Sequence, residues 1–201
     1  MERRRRERGK AAPSAMKQQD RNAQEVSDAK MQRGGVQLFL MRHGIAEERI
    51  GPYASNDAKR PLTAKGKKRT KQIAEGLQRL GLGFDWIVTS PLVRARETAE
   101  IVAATAPGSV PFDQCPALRP GGSFEEIMSF LGETRRYHRV LLVGHEPDLS
   151  TLAARLIGAG PAASLMFKKG GCCLIHCDRH AAQSSGQLVW WLTPGLLRSL
   201  R

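Results

Sequence analysis

The chain has 201 residues, of which 41% are hydrophobic and 25% charged, with a formal net charge of +13 at pH 7. That length suits one domain with a sizeable core, and no apolar run approaches the ~20 residues of a helical membrane span. No hydrophobic signal-peptide segment follows the basic start, and three of the four cysteines (Cys172, Cys173 and Cys177) crowd into six residues, a poor disulfide framework. These features predict a cytoplasmic protein with no membrane partner.

Residues 1–34 carry ten Lys or Arg, five Asp or Glu and no aromatic residue, a net of +5 that includes the run Arg3 to Arg6. Such a segment buries too little apolar surface to offset the entropy of ordering. The expectation is a disordered basic tail over 1–34 and one domain over 35–201. A solvated tail is preferred to a nucleic-acid or membrane-surface arm. The remaining excess of +8 would attract polyanions without specificity. With six Phe, three Trp, two Tyr and no recognised binding motif, a specific nucleic-acid partner is not expected.

The apolar run of residues 36–41 predicts a strand that ends abruptly in Arg42-His43-Gly44. A polar loop over 42–61 follows. Thr63 then reads as the N-cap of a helix to about Leu80, with Ile73, Leu77 and Leu80 on one face. Its charge run (Lys65, Lys67, Lys68, Arg69, Lys71) reads as a solvated face that could steer anions. Asp85 to Thr89 predicts a second strand. Ser90-Pro91 predicts a helix entry, Ser as N-cap and Pro at the first helical position, with the helix running to about Thr105 and carrying Arg94 in its first turn. Val110 to Phe112 is a candidate short strand, and Ser123 to Leu131 a helix with Phe124, Ile127, Met128 and Leu131 inward. Arg139 to Val143 predicts a strand leading to His145. Pro147 to Ile157 predicts a helix with Leu149, Leu152, Ala153 and Leu156 inward. Leu174 to Cys177 and Leu188 to Leu192 read as late strands joined through Gln183-Ser184-Ser185-Gly186. Strands alternating with helices predict a three-layer α/β/α sandwich around a largely parallel sheet.

Three of these strands lead into loops or helices bearing Arg or His, and chemistry in open α/β sheets lies at the carboxyl ends of strands. Arg42-His43-Gly44, Arg60-Pro61-Leu62-Thr63, Arg94 after Ser90-Pro91, and Gly144-His145 stand in that order. The set resembles the histidine phosphatase superfamily, also called phosphoglycerate mutase-like, and within it the SixA-type phosphohistidine phosphatases. The resemblance covers about residues 36 to 195. It implies that His43 attacks phosphorus to form a phosphohistidine, that Arg42 and Arg94 bind the phosphoryl oxygens, and that His145 donates a further hydrogen bond. Arg60 would lie at the pocket rim as a substrate-binding residue. Guanidinium suits this work because its planar fork of donors matches a phosphoryl group. No metal and no cofactor are expected.

Taken singly, an arginine in a first helical turn is usually a surface residue, the reading kept for Arg96, and a histidine after a strand is often structural. Mutase-like members carry a glutamate in a Leu-x-Glu stretch, whereas here the corresponding residues read Leu118-Arg119-Pro120-Gly121-Gly122. Glu47, Glu97 and Asp148 are the nearby carboxylates, and Glu97 would pair with Arg94 one turn away. The absent acid favours a labile leaving group, so the expected substrate is a protein phosphohistidine. The alternatives are a small phosphorylated molecule hydrolysed on the same residues, and a non-catalytic phosphate- or phosphopeptide-binding module. The cluster of Cys172, Cys173, His176 and Cys177 invites a zinc reading, but neighbours on a strand point to opposite faces. Buried small hydrophobes are preferred there. Sequence leaves the oligomeric state open.

Overall fold

The computed structural model describes residues 35–133, 136–160, 164–178 and 186–200. The expected tail over 1–34 and most of the turn at 183–186 lie outside these. Six strands form one sheet: β1 (Gly35–Arg42), β2 (Trp86–Thr89), β3 (Phe112–Gln114), β4 (Arg139–Gly144), β5 (Cys172–Asp178) and β6 (Gln187–Leu192), in the order β3-β2-β4-β1-β5-β6. The first four strands in that order run parallel, and β5 is antiparallel to both β1 and β6. Among the described residues five α-helices flank the sheet: α1 (Ala64–Arg79), α2 (Val93–Thr105), α3 (Phe124–Gly132), α4 (Asp148–Leu156) and α5 (Pro194–Ser199). The largely parallel α/β sandwich is therefore present, and α5 is an addition that the sequence reading did not contain.

Strand alternation divides the core between two layers. From β1, Val36, Leu38 and Leu40 pack with Ile127 of α3 and Leu149, Leu152, Ala153 and Leu156 of α4. Phe39 and Met41 point the other way, onto Ile73 and Leu77 of α1, Ala95, Ala99 and Val102 of α2, and Leu197 of α5. Both faces of β1 and β4 are covered, which is why these strands read as unbroken apolar runs. The same alternation splits the cysteines: Cys172 faces the layer of α1, while Cys173 and Cys177 face that of α3 and α4. All three are buried, and among the described residues no group of three His, Cys, Asp or Glu side chains is placed to hold a metal. No described helix is long and apolar enough to cross a membrane.

Thr63 caps α1 as expected, its side chain accepting from Gly66 N at 2.8 Å, and Ser123 caps α3 in the same way. Two expectations fail. Leu80 caps the end of α1 and is 44% exposed rather than inward. Ser90 is not a helix cap: α2 starts at Val93 with Leu92 in the N-cap position, and Ser90 is diverted to the site described below.

Gly76 shows how tightly α5 is seated. A Cβ added there would collide with the carbonyl oxygen of Leu197. A helical Gly→Ala change ordinarily stabilises by about 1 kcal/mol. Here overpacking should outweigh that gain, costing on the order of 1–3 kcal/mol. Gly76→Ala is therefore expected to lower the thermal midpoint, while Gly132→Ala, with open space around it, leaves it unchanged or raises it.

Candidate active site

Parallel register brings three strand ends together. Arg42 lies opposite Gly144 across β1 and β4, and Thr89 of β2 lies opposite Val143. The next residues, His43, Ser90 and His145, thus emerge side by side from adjacent strands. Backbone hydrogen bonds extend the pairing one step beyond the sheet, from His43 N to Gly144 O at 3.1 Å and from Ser90 N to Val143 O at 2.9 Å. The sharp departure after His43 requires Gly44. A Cβ there would sit 2.5 Å from Thr70 Oγ1, and Gly44 N donates to Thr98 Oγ1 of α2 at 3.0 Å.

His43 is only 5% exposed, and its Nδ1 lies 2.7 Å from Gly44 O. A carbonyl can only accept, so Nδ1 carries the ring proton and Nε2 keeps its lone pair. That lone pair accepts from Arg94 Nε at 3.2 Å. Burial lowers the His43 pKa to about 2, with the neighbouring His145, Arg94 and Arg42 adding to the effect against the Gly44 hydrogen bond. The ring is thus held neutral, which is the form a nitrogen nucleophile needs.

His145, 2% exposed, lies with its ring centroid 5.1 Å from that of His43. Its Nε2 is 2.9 Å from Ser90 Oγ. Ser90 already accepts from Leu92 N, and its own hydroxyl proton is available for His145 Nε2. That assignment leaves the His145 proton on Nδ1, which is buried and has no partner among the described residues. Burial, reinforced by Arg94 and Arg42, lowers the His145 pKa to about 3.

Arg94, 4% exposed in the first turn of α2, donates to Asp57 O at 2.9 Å and pairs with Asp57 Oδ2 at 2.9 Å. Arg60 grips the same carboxylate through Oδ1 at 2.8 Å and donates to Glu47 O. Burial pushes the Asp57 carboxyl up, but Arg94 and Arg60 outweigh it and hold it below its usual range. Arg42 donates to Phe167 O at 2.7 Å, and its buried Nε has no partner among the described residues. Burial lowers the pKa of both Arg42 and Arg94, yet guanidinium stays charged at any relevant pH.

The structure thus brings His43, Arg94 and His145 into one cluster with Arg42 beside it, and joins Arg60 to that cluster through Asp57. Asp57 and Ser90 escaped the sequence reading. Asp57 sat in a loop read only as polar, and Ser90 was assigned to a cap. Glu97 does not pair with Arg94; it accepts from Leu62 N at 2.6 Å and pairs with Lys67 Nζ at 2.8 Å, tying the Arg60-Pro61-Leu62-Thr63 stretch to α2.

Residues 38–129 match the model of the histidine phosphatase superfamily, branch 1. An uncharacterised protein of Picosynechococcus sp. is 44% identical over 138 residues, which is 68% of this chain and 82% of that protein. The structure of the protein histidine phosphatase SixA complexed with tungstate superposes with a TM-score of 0.69 at 26% identity, covering 81% of this chain and 99% of that one. The chain belongs to the histidine phosphatase superfamily. Its relatives there also include the adenosylcobalamin/alpha-ribazole phosphatase of Escherichia coli K12, 26% identical and covering 66% of this chain and 85% of that protein. This superfamily member is a phosphatase of the phosphoglycerate mutase-like fold.

The two buried histidines make its stability depend on pH. Both have folded pKa values below the ordinary 6.5. Below pH 6.5 the unfolded chain therefore binds more protons than the folded one, and acid favours unfolding. This stability is fully present above about pH 6.5 and is lost as pH falls. Thermal midpoints are expected to drop between pH 7 and 5, and His43→Asn and His145→Asn should each flatten that slope.

Proposed function

We propose that this phosphatase works through a phosphohistidine on His43 and that its substrate is a phosphohistidine borne on a protein. In this reading Nε2 of His43 attacks phosphorus, the bond to the leaving group breaks, and water then attacks the phosphoenzyme and restores the imidazole. Phosphoryl transfer of this kind depends on positioning and on stabilising charge over the equatorial oxygens. Arg42, Arg94 and the Nδ1–H of His145 are the donors assigned to those oxygens. Arg94 Nε now occupies the lone pair that must attack. An arriving phosphoryl group would draw the guanidinium to its own oxygens and free Nε2. Arg60 is assigned to the rim, where it holds Asp57 and the entry loop.

The observation that carries the substrate class is the state of the carboxylates. Asp57, the carboxylate in contact with Arg94, is held ionised by two guanidinium groups. Glu97 accepts from Leu62 N and Lys67. Glu146 accepts from Ser150 and from Phe167 N, and Asp148 accepts from Gly121 N. Each is engaged as an acceptor, none as a donor to a leaving group. A site without a positioned acid favours substrates whose leaving group departs neutral, such as an imidazole already protonated on its far nitrogen, over those that release an alkoxide. The name of SixA among the structural relatives agrees with this reading. The second reading is a small phosphomonoester, in line with the alpha-ribazole phosphatase relative. It would need Glu47, whose side chain makes no ion pair among the described residues, to serve as the acid.

Replacement of His43 by Ala is expected to abolish turnover. The native protein should trap an acid-labile, base-stable phosphoryl group that the variant cannot. Arg94→Ala should cost on the order of 10²–10³ in rate, with incomplete rescue by lysine because the fork is lost. Near-native kinetics in either alanine variant would refute the mechanism.

The leaving-group argument is checked with a substrate series. Rates are expected to fall steeply from a phosphohistidine protein and aryl phosphates to alkyl phosphates. Efficient hydrolysis of a sugar phosphate, lost in Glu47→Gln, would replace the protein substrate by a small phosphomonoester.

A further inference from the structure

On the far side of Arg42 lies a cavity that the chemistry above does not use. It occupies about 570 Å³ between α1, the start of α5 and the segment before β5. This is within the ~300–1,000 Å³ range of small-molecule sites. Five cationic side chains line it: Arg42, Arg69, Lys168, Lys169 and Arg198. No Asp or Glu is among its lining residues. No ion pair joins any of the five to a described carboxylate, although five such pairs exist elsewhere in the described chain.

Cations that crowd together without counter-charges repel one another, and the repulsion grows as they leave bulk water. Arg69 and Arg198 are half-buried, so they are not simply a solvated surface. A second observation is independent of charge. Thr70, 1% exposed, lines the same cavity, and its Oγ1 is buried with no hydrogen-bond partner among the described residues. An orphaned buried hydroxyl is ordinarily destabilising. An oxyanion in the cavity would answer both features, as an acceptor for the hydroxyl and a counter-charge for the cations.

We infer that this cavity is a second anion-binding site, distinct from the phosphoryl-transfer centre, for a compact ligand carrying two or more phosphoryl groups. The number of cations exceeds what one phosphate would neutralise, and Arg69 and Arg198 come from different helices, so they can engage separate groups. A free oligophosphate and the phosphate chain of a nucleotide share this chemistry. The site does not depend on which substrate His43 serves.

The test is calorimetric titration of the full chain with tripolyphosphate, ATP and citrate. Arg94→Ala serves as background, so that binding at the transfer centre is weakened and hydrolysis is slowed. One tripolyphosphate site is expected to survive in Arg94→Ala. Adding Arg69→Gln and Arg198→Gln should weaken it about tenfold or more, and Thr70→Val about fivefold, one ordinary hydrogen bond. Arg79→Gln, three turns further along α1 and exposed, should leave it unchanged. In the otherwise native chain, Arg69→Gln with Arg198→Gln should retain phosphatase activity, which also shows that the variant folds. Equal affinity for ATP and tripolyphosphate would assign the site to the phosphate chain alone, and tighter ATP binding would assign it to a nucleotide. The inference is overturned by any of three results: loss of all tripolyphosphate binding in Arg94→Ala, equal weakening by Arg79→Gln, or citrate binding as tight as tripolyphosphate.

Discussion

The buried guanidinium of Arg94 is the constraint around which this site is built. A cation at 4% exposure requires partners, and it has three: the Asp57 carboxylate, the Asp57 carbonyl and the lone pair of His43. Each partner fixes something else. Asp57 recruits Arg60 and so anchors the loop between β1 and α1 over the strand ends. The bond to His43 works with the Gly44 carbonyl to set the ring's tautomer and orientation. The same positive charge helps to keep both histidines unprotonated. Without Arg94, the loop, the ring and the protonation state would each lose a determinant.

Delivery of these groups to one point is a property of the parallel sheet. β2, β4 and β1 are neighbours, and each yields one polar side chain in the first step beyond its last strand residue. The long apolar runs behind those residues are buried on both faces, so the strand ends cannot shift without disturbing two core layers. α2 adds rigidity from above, since Thr98 holds Gly44 and Glu97 holds Leu62 while Arg94 reaches inward. One helix thus binds both segments that flank the entry loop.

The electrostatics of the region are asymmetric. Around the transfer centre Asp57, Glu97, Glu146 and Asp148 are committed to donors, which leaves the centre positively charged. On the far side of Arg42, between α1 and α5, cations gather and no carboxylate is among the described lining residues. Arg42 is common to both regions and donates to Phe167 O, in the segment that also supplies Lys168 and Lys169. An anion on one side of Arg42 therefore lies within reach of the groups that orient it on the other.

Sequence by itself determined what depends on local pattern. The strand cores, the Thr63 cap, the inward face of α4 and the order of Arg42, His43, Arg94 and His145 were all legible, because periodicity and capping are set within a few residues of chain. What depends on distant partners was decided only by tertiary structure. Ser90 has the chemistry of a helix cap, yet His145, 55 positions away, claims its hydroxyl. Glu97 stands one turn from Arg94, but Leu62 N and Lys67 take it because they face it across the packed helices. Asp57 drew no notice in a polar loop until the fold placed it against a buried arginine. The cavity at α1 and α5 needed Lys168, Lys169 and Arg198 brought to Arg69 across about a hundred residues. Short polar side chains have several partners of similar strength within reach, and only the packed fold, by desolvating one of them, decides which bond must be made.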